Sequence, residues 1–470
     1  FTALDAITTG DNNVAIGYTA GGAVTTGIKN TLIGADVGSA LTIGNNNTAL
    51  GYGALNASVD GDNNTAIGFA ALLAYEDGDG NGHNTAVGAS SQFAASTGQF
   101  NVSLGSSSLG GAALTGDNNI GLGYKAGFAL TSGSSNVAVG HESLMTEDGH
   151  GKNTAVGHQT LKVQDAGADA YNVAVGYSAG LAVTTGTLNT LIGGLAGDAL
   201  TTGVQNVAIG YEALSTENAH GTVVAVGFQA LKTQDAGANT YNVAVGYQAG
   251  VSVTTGVQNT LIGGLAGDSL TTGNYNVALG YGSLGSEDTR SANVAIGYQA
   301  LKTQNAGADA YNTAVGHAAG VAVTTGIYNT LVGGLAGDAL TIGNQNVAVG
   351  MLALSASVDG DNNTAIGFQA LKDYEDGDGN GHNTAVGANS QLLASTGEFN
   401  TSLGSQSMGT GVTTGDHNTA LGYKAGEDLV GGHSNVLVGN FAGSAINSGV
   451  QNTAVGYDSL FTNQDGDGNV

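Results

Sequence analysis

Short bursts of alternating apolar residues run the length of the chain, each opened by asparagine and closed by glycine: N-V-A-I-G, N-T-L-I-G, N-T-A-V-G. The asparagines begin at Asn13, Asn30, Asn47 and Asn64 and end at Asn435 and Asn452. This makes 26 copies, in one of which Val223 replaces the asparagine. Most steps are 17 residues and seven are 18 to 20, while the glycine four residues on is present in every copy, from Gly17 to Gly456. Alternation with period 2 predicts a strand whose second and fourth residues share one face, with the alanine between them on the other. The fourth residue is Val, Ile or Leu in every copy, so this column is expected to be the core ladder and the alanine to point outward. The glycine turns the chain, a second apolar stretch follows, and T-T-G makes the next turn, as in NVAVGYSAGLAVTTGTL from Asn172 to Leu188.

So short a unit cannot bury a core alone, so each must stack on its neighbours. The expected fold is all-β: a parallel β-solenoid (β-roll or β-helix) of about 26 coils, assembled into a homo-oligomeric fibre. With strands roughly 4.8 Å apart, that many coils predict a rod about 125 Å long. The asparagines are expected to stack as an amide ladder, with Val223 a local gap. Helical readings fail because the regular segments are short, glycine interrupts each one, and the period is 2. The spaced leucines of a leucine-rich repeat are missing, and the strict register argues against a disordered glycine-rich linker.

Longer periods lie on top. A 70-residue unit begins at Tyr171, Tyr241 and Tyr311, and a 299-residue offset carries residues 13–145 onto 312–444, as in DGDNNTAIGF at Asp60 and Asp359. Residues 1–470 therefore read as one continuous repeat array, duplicated in tandem, and a first residue that is not Met suggests a window of a longer protein.

Composition narrows the picture. The chain has 82 glycines, no proline and no cysteine, and 41% of its residues are hydrophobic, so apolar surface is available to bury and no proline interrupts a ladder. Disulfides are excluded. With 36 acidic and 9 basic residues the net charge is −27, a surface that repels nucleic acid and anionic lipid. No apolar run reaches transmembrane length, so no membrane insertion is expected in this segment.

The coils N-T-A-V-G-Y-x-A-G and N-T-A-I-G-F-x-A-L resemble the head repeats of trimeric autotransporter adhesins, and also the repeats of tail-fibre-like proteins of phages and of marine and gliding bacteria. The adhesin heads are left-handed parallel β-rolls with shorter coils that associate as trimers. The resemblance implies the structural or adhesive shaft of an extracellular fibre or surface appendage, attaching to cells or surfaces through a cell-surface or glycan receptor. It implies a homo-oligomer, with a trimer as first choice and higher order as the alternative. A phage tail-fibre shaft, on the virion tail, shares the same architecture. A third reading, an ice-binding solenoid, comes from the T-T-G columns such as Thr25-Thr26, Thr184-Thr185, Thr254-Thr255 and Thr324-Thr325.

Three kinds of candidate chemistry remain. D-x-D-x-N-G at Asp77, Asp79 and Asn81 is the first half of a calcium loop; it recurs at Asp376, Asp378 and Asn380, and begins again at Asp465, Asp467 and Asn469. Gly88 stands where the closing bidentate glutamate of such a loop falls, so the remaining ligands must come from a neighbouring coil or subunit. Ca²⁺ is the one cofactor expected. The residue after the repeat glycine forms an aromatic column: Tyr18, Tyr52, Phe69, Tyr124, Tyr177, Tyr211, Phe228, Tyr247, Tyr281, Tyr298, Tyr423 and Tyr457, with His141, His158 and His317, and with gaps such as Gly194. It is read as a packing column rather than a sugar site. The residues inserted in every fourth coil, such as Gln164-Asp165-Ala166-Gly167, are expected to bulge outward as docking points. With no H-x-x-x-H pair and no cysteine, the scattered histidines do not predict zinc. No G-x-S-x-G elbow can be completed, and carboxylate pairs such as Glu76-Asp77 are copied with their loops, so no enzyme is expected.

Overall fold

A computed structural model describes residues 2–76, 81–289, 291–374, 381–462 and 464–470. It is an all-β parallel solenoid in which each turn is one repeat of the sequence, with no helix among the described residues. The chain divides into two compact units, residues 1–239 and 240–470. Among the described residues, the first holds thirteen three-residue strands, from β1 (Val14–Ile16) to β13 (Val224–Val226), and the second thirteen, from β14 (Val243–Val245) to β26 (Thr453–Val455).

Within each unit successive strands pair in parallel and in register. Val14, Ala15 and Ile16 lie beside Thr31, Leu32 and Ile33. The longer steps do not shift the register: Ala155 still pairs with Ala174, and Ala66 with Ala86. Inserted residues are therefore absorbed away from the strands.

The faces are the reverse of the expectation. The central alanine of the strand is buried, and the Val/Ile/Leu column faces outward: Ile16 is 59% exposed and Leu104 52%. A three-residue strand can send inward either its centre or its two flanks. Two branched flanks would crowd the interior of so short a coil. A single alanine leaves room for a leucine from the turn segment six residues later, as Leu55 after Ala49, Leu72 after Ala66 and Leu214 after Ala208, all buried.

A large strand centre is compensated within its own coil, and where alanine and glycine coincide, as at Ala174 and Gly180, leucines of the two adjacent coils (Leu161 and Leu191) fill the space. Where the strand centre is leucine (Leu32, Leu191, Leu261, Leu331, Leu437), the residue six later is glycine (Gly38, Gly197, Gly267, Gly337, Gly443). A Cβ at Gly197 would come 2.8 Å from the Leu191 side chain, and one at Gly443 2.7 Å from Leu437. The position keeps left-handed backbone in both cases, φ 55° at Gly197 and 53° at Leu214. Burying a leucine is worth about 1.5–3 kcal/mol, which offsets the roughly 1–2 kcal/mol that left-handed backbone costs a residue with a Cβ.

The asparagine ladder is present, with a defined bonding scheme. The Oδ1 of the asparagine accepts the backbone N–H of the next one, and its Nδ2 donates to a backbone carbonyl of the following turn, usually a glycine and at Asn136 and Asn206 a histidine (His150 and His220). Asn47 N–H reaches Asn30 Oδ1 at 2.9 Å, and Asn30 Nδ2 reaches the Gly44 carbonyl at 2.8 Å. Inserts disturb this scheme: Asn153 and Asn293, each opening one of the lengthened coils, have a buried Nδ2 with no hydrogen-bond partner. Val223 opens the equivalent coil of the 70-residue unit between them. Its N–H still donates to Asn206 Oδ1 at 3.1 Å, and its side chain is buried. The expected gap thus falls where an amide already lacks its acceptor, and an isopropyl group there removes a buried donor that would be left unpaired.

Candidate functional site

The acidic loops separate into those outside and those inside the described residues. Asp77, Asp79, Asp376, Asp378 and Asn380 lie outside them, and Asn81 is exposed. The third copy can be followed. Asp465 accepts from Ser448 Oγ at 2.6 Å, and Asp467 Oδ1 accepts the Val450 N–H at 2.9 Å. Asn469 spends both its N–H and its Nδ2 on Asn452 Oδ1, at 2.9 and 2.7 Å. These three side chains each bond a different residue of the preceding coil. Asn469 is one further rung of the asparagine ladder, the next after Asn452.

Asp467 belongs to a second polar column that the sequence reading missed. The side chain two residues before the ladder asparagine accepts a backbone N–H from the equivalent position of the preceding coil: Asn45 from Ile28, Asp62 from Asn45, Asp117 from Gln99 and Asp361 from Asn344. The recurrence of Asp, Asn or Ser at this position is the signal that could have found it. It explains acidic residues in the turns by backbone satisfaction alone.

The aromatic column stacks as expected. Tyr52 lies 5.7 Å from Phe69, His141 5.1 Å from His158, and His158 5.3 Å from Tyr177, with near-parallel rings. These rings stand outside, beside the outward Val/Ile/Leu column. A second aromatic column, also missed, occupies the residue just before the asparagine. There His83 stacks on Phe100 at 5.0 Å, Tyr311 on Tyr328 at 5.7 Å, and Phe399 on His417 at 5.1 Å. The strand's outer face is thus an apolar strip with aromatic residues along both margins.

In the T-T-G turns the first threonine is used internally. Thr184 Oγ1 donates to the Thr201 carbonyl at 3.3 Å, and Thr324 Oγ1 to the Thr341 carbonyl at 3.1 Å. In these turns the second threonine alone, as at Thr185, is exposed, though Thr8 and Thr9 are both exposed in the first coil; this thins the regular hydroxyl array that an ice-binding face needs.

The inserts behave partly as expected. Asp165, Gly167, Ala168 and Asp169 are exposed, but Gln164 points inward and is buried. Asp169 pairs with Lys152 at 2.7 Å, and Lys152 also reaches the Tyr171 hydroxyl at 2.9 Å; these bonds, Asp169 first, hold the Lys152 amine above its ordinary range. Beside them Lys162 lies 2.8 Å from Glu142, and chiefly through this bond the Glu142 carboxyl falls to about 2. Lys232 and Glu212 repeat the pair in the next long unit, at 2.6 Å.

Inside, from the seventh strand to the thirteenth, the ninth residue after the strand centre lines a buried column: Leu130, Glu147, Gln164, Val183, Leu200, Glu217, Gln234. Glu147 and Glu217 are fully buried. Burial, more than any neighbour, pushes the Glu147 carboxyl up to about 7. Each glutamate faces a histidine three residues on, with His150 Nδ1 3.7 Å from Glu147 Oε1 and His220 Nδ1 3.3 Å from Glu217 Oε1.

No protein-family model matches this chain, and no curated protein matches it.

Proposed function

We propose that the chain is a structural shaft segment of an extracellular fibre or surface appendage, built by lateral association of identical chains, with attachment as its role. The observation that carries the reading is the outward strip. In every coil the strand presents a Val, Ile or Leu to solvent, flanked by aromatic residues such as Tyr18 at 59% and Tyr177 at 60% exposure. Continuous exposed apolar surface of this kind marks an association face. Because the strip repeats with the period of the coils, a second copy of the chain matches it in spacing coil by coil. The charge of −27 disfavours nucleic acid as the partner. A trimer, by the resemblance of its coils, is the assembly to test first.

The mass of the purified particle tests this. A multiple of 45.9 kDa, three for the trimer, is expected in sedimentation equilibrium at micromolar concentration. Replacing Leu50 and Tyr52 together by glutamate is expected to weaken assembly without changing the circular dichroism. A monomer at every concentration would remove the fibre reading.

A further inference from the structure

We propose that the clusters Glu147–Asp148–His150–Asp165 and Glu217–His220–Asp235 are two binding sites for a divalent transition-metal ion of the zinc class. Among the described residues, these are the places where three or more His, Asp or Glu side chains bring their ligand atoms within 4.8 Å of one another.

Three observations converge at the first cluster. Glu147 sits in the buried column between Leu130 and Gln164, is fully buried, and its Oε2 has no hydrogen-bond partner. His150 Nδ1 is likewise buried and unpartnered. The Glu147 carboxylate otherwise receives only backbone N–H groups, that of His150 at 3.3 Å from Oε1 and that of Ala166. Carboxylate oxygens and an imidazole nitrogen thus converge where a buried, unpaired group is costly. A divalent cation bound there would give the unpaired atoms a partner and offset most of the charge of the three carboxylates.

The spacing suits a small ion. Two ligands about 2.0 Å from a tetrahedral zinc lie about 3.3 Å apart. The Glu–His oxygen-to-nitrogen distances are 3.7 and 3.3 Å at the two sites. One imidazole among carboxylates selects zinc, cobalt or manganese over calcium and magnesium, which take oxygen.

The sequence architecture supports the same assignment. Glu147 and His150 come from one coil, and Asp165 from the insert of the next. The second cluster repeats this arrangement one long unit later with Asp235, and Asn218 stands in place of Asp148. There Glu217 is better satisfied, since His220 N–H donates to it at 3.1 Å and Gln234 Nε2 at 3.3 Å. The second site should therefore bind more weakly. In the third such unit the corresponding residues are Glu287, Asp288, Arg290 and Asn305. Arginine, a permanent cation, replaces the histidine there, and the insert loses its carboxylate. Arg290 lies outside the described residues, and its identity alone predicts no metal at that position.

Titrating the metal-free full chain with Zn²⁺ by calorimetry, and with Co²⁺ followed by visible absorption, tests the proposal. Two ions per chain are expected, with a raised thermal midpoint. His150→Ala should weaken the tighter site by at least about tenfold, and His220→Ala the other. Asp165→Asn, at an exposed position, serves as the milder variant should a histidine change disturb the fold; it should also weaken the tighter site while circular dichroism stays native. Millimolar Ca²⁺ should not displace cobalt. The proposal is overturned by no saturable zinc binding below millimolar, by stoichiometry that survives the double histidine variant, or by calcium competing equally with cobalt.

Discussion

Two neighbouring parts of the first unit share one backbone and differ in what fills it. In the coils opened by Asn172 and Asn189 the ninth core position holds Val183 and Leu200, no residue is inserted, and Asn172 and Asn189 each make both of their ladder bonds. In the coils opened by Asn136 and Asn153 the same position holds Glu147 and Gln164, the second of these coils is lengthened, and the Asn153 amide is left unpaired. The strands nevertheless pair in the same register throughout. The ladder of N–H groups, asparagine carbonyls and close-packed glycines fixes the fold, while the ninth position is free to vary. Stability concentrated in one set of positions lets another carry chemistry that lowers stability locally.

The largest effect should come from the ladder itself. At Gly193, φ is 136° and a Cβ would sit against the Gly210 carbonyl, so Gly193→Val should cost at least about 4 kcal/mol or prevent stacking at that coil. Gly167, in the insert, also has positive φ, 68°, but open space around it; Gly167→Ala should cost only about 1 kcal/mol, from the backbone alone. Denaturant midpoints by circular dichroism compare the two, and equal losses would show that the insert is as constrained as the strand.

The core column can be exchanged next. Leu200→Glu buries a carboxylate with no histidine beside it and should cost about 3–5 kcal/mol. Glu147→Leu should do the opposite and stabilise the metal-free protein at neutral pH by about 1–4 kcal/mol. A destabilised Glu147→Leu variant would mean that the carboxylate is better satisfied than its unpaired Oε2 indicates.

The pH dependence follows with its sign. The Glu147 carboxyl is raised from 4.5 to about 7 in the folded chain. Between these values the folded state holds a proton that the unfolded state has lost, so stability is full below about pH 4.5, falls as pH rises, and levels off above about 7. The loss attached to this one group is on the order of 3 kcal/mol. It should be seen with a chelator present, vanish in Glu147→Leu, and shrink with zinc. The lowered Glu142 carboxyl acts in the opposite sense at a lower pH, losing its Lys162 partner only as pH falls through about 2.

Much of this was legible in the residues. The regular step, the invariant glycine and the asparagine column led directly to a parallel solenoid. Which face is inside was not legible, because period 2 defines two faces without ranking them. The rule that branched aliphatics go inside fails when the interior beside a three-residue strand has room for one side chain rather than two. The pairing of Leu191 with Gly197 and of Ala208 with Leu214 holds that information, but only once the sixth residue is known to face the strand. The acidic motif at Asp465 was visible, yet its role depends on hydrogen bonds to the previous coil. The Glu147 cluster joins ligands from two coils, which no local spacing rule brings together, although the recurrence of Glu, His and Asp one long unit later was there to be read.

The smallest effect is the sharpest test of how ladder and insert differ. Asn189→Val removes a rung whose amide and carbonyl are both bonded, at 2.8 Å to Gly203 and 2.9 Å from Asn206. It leaves a buried carbonyl and a buried N–H without partners, a loss of about 2 kcal/mol or more. Asn153→Val copies the natural Val223. It leaves the Asn172 N–H without its 3.2 Å acceptor, but it also removes a buried amide donor that has no partner. The two effects are similar in size and opposite in sign, so the net change should stay within about 1 kcal/mol of zero. If Asn153→Val proves as costly as Asn189→Val, the amide at Asn153 has a partner after all, and the valine at position 223 requires another cause.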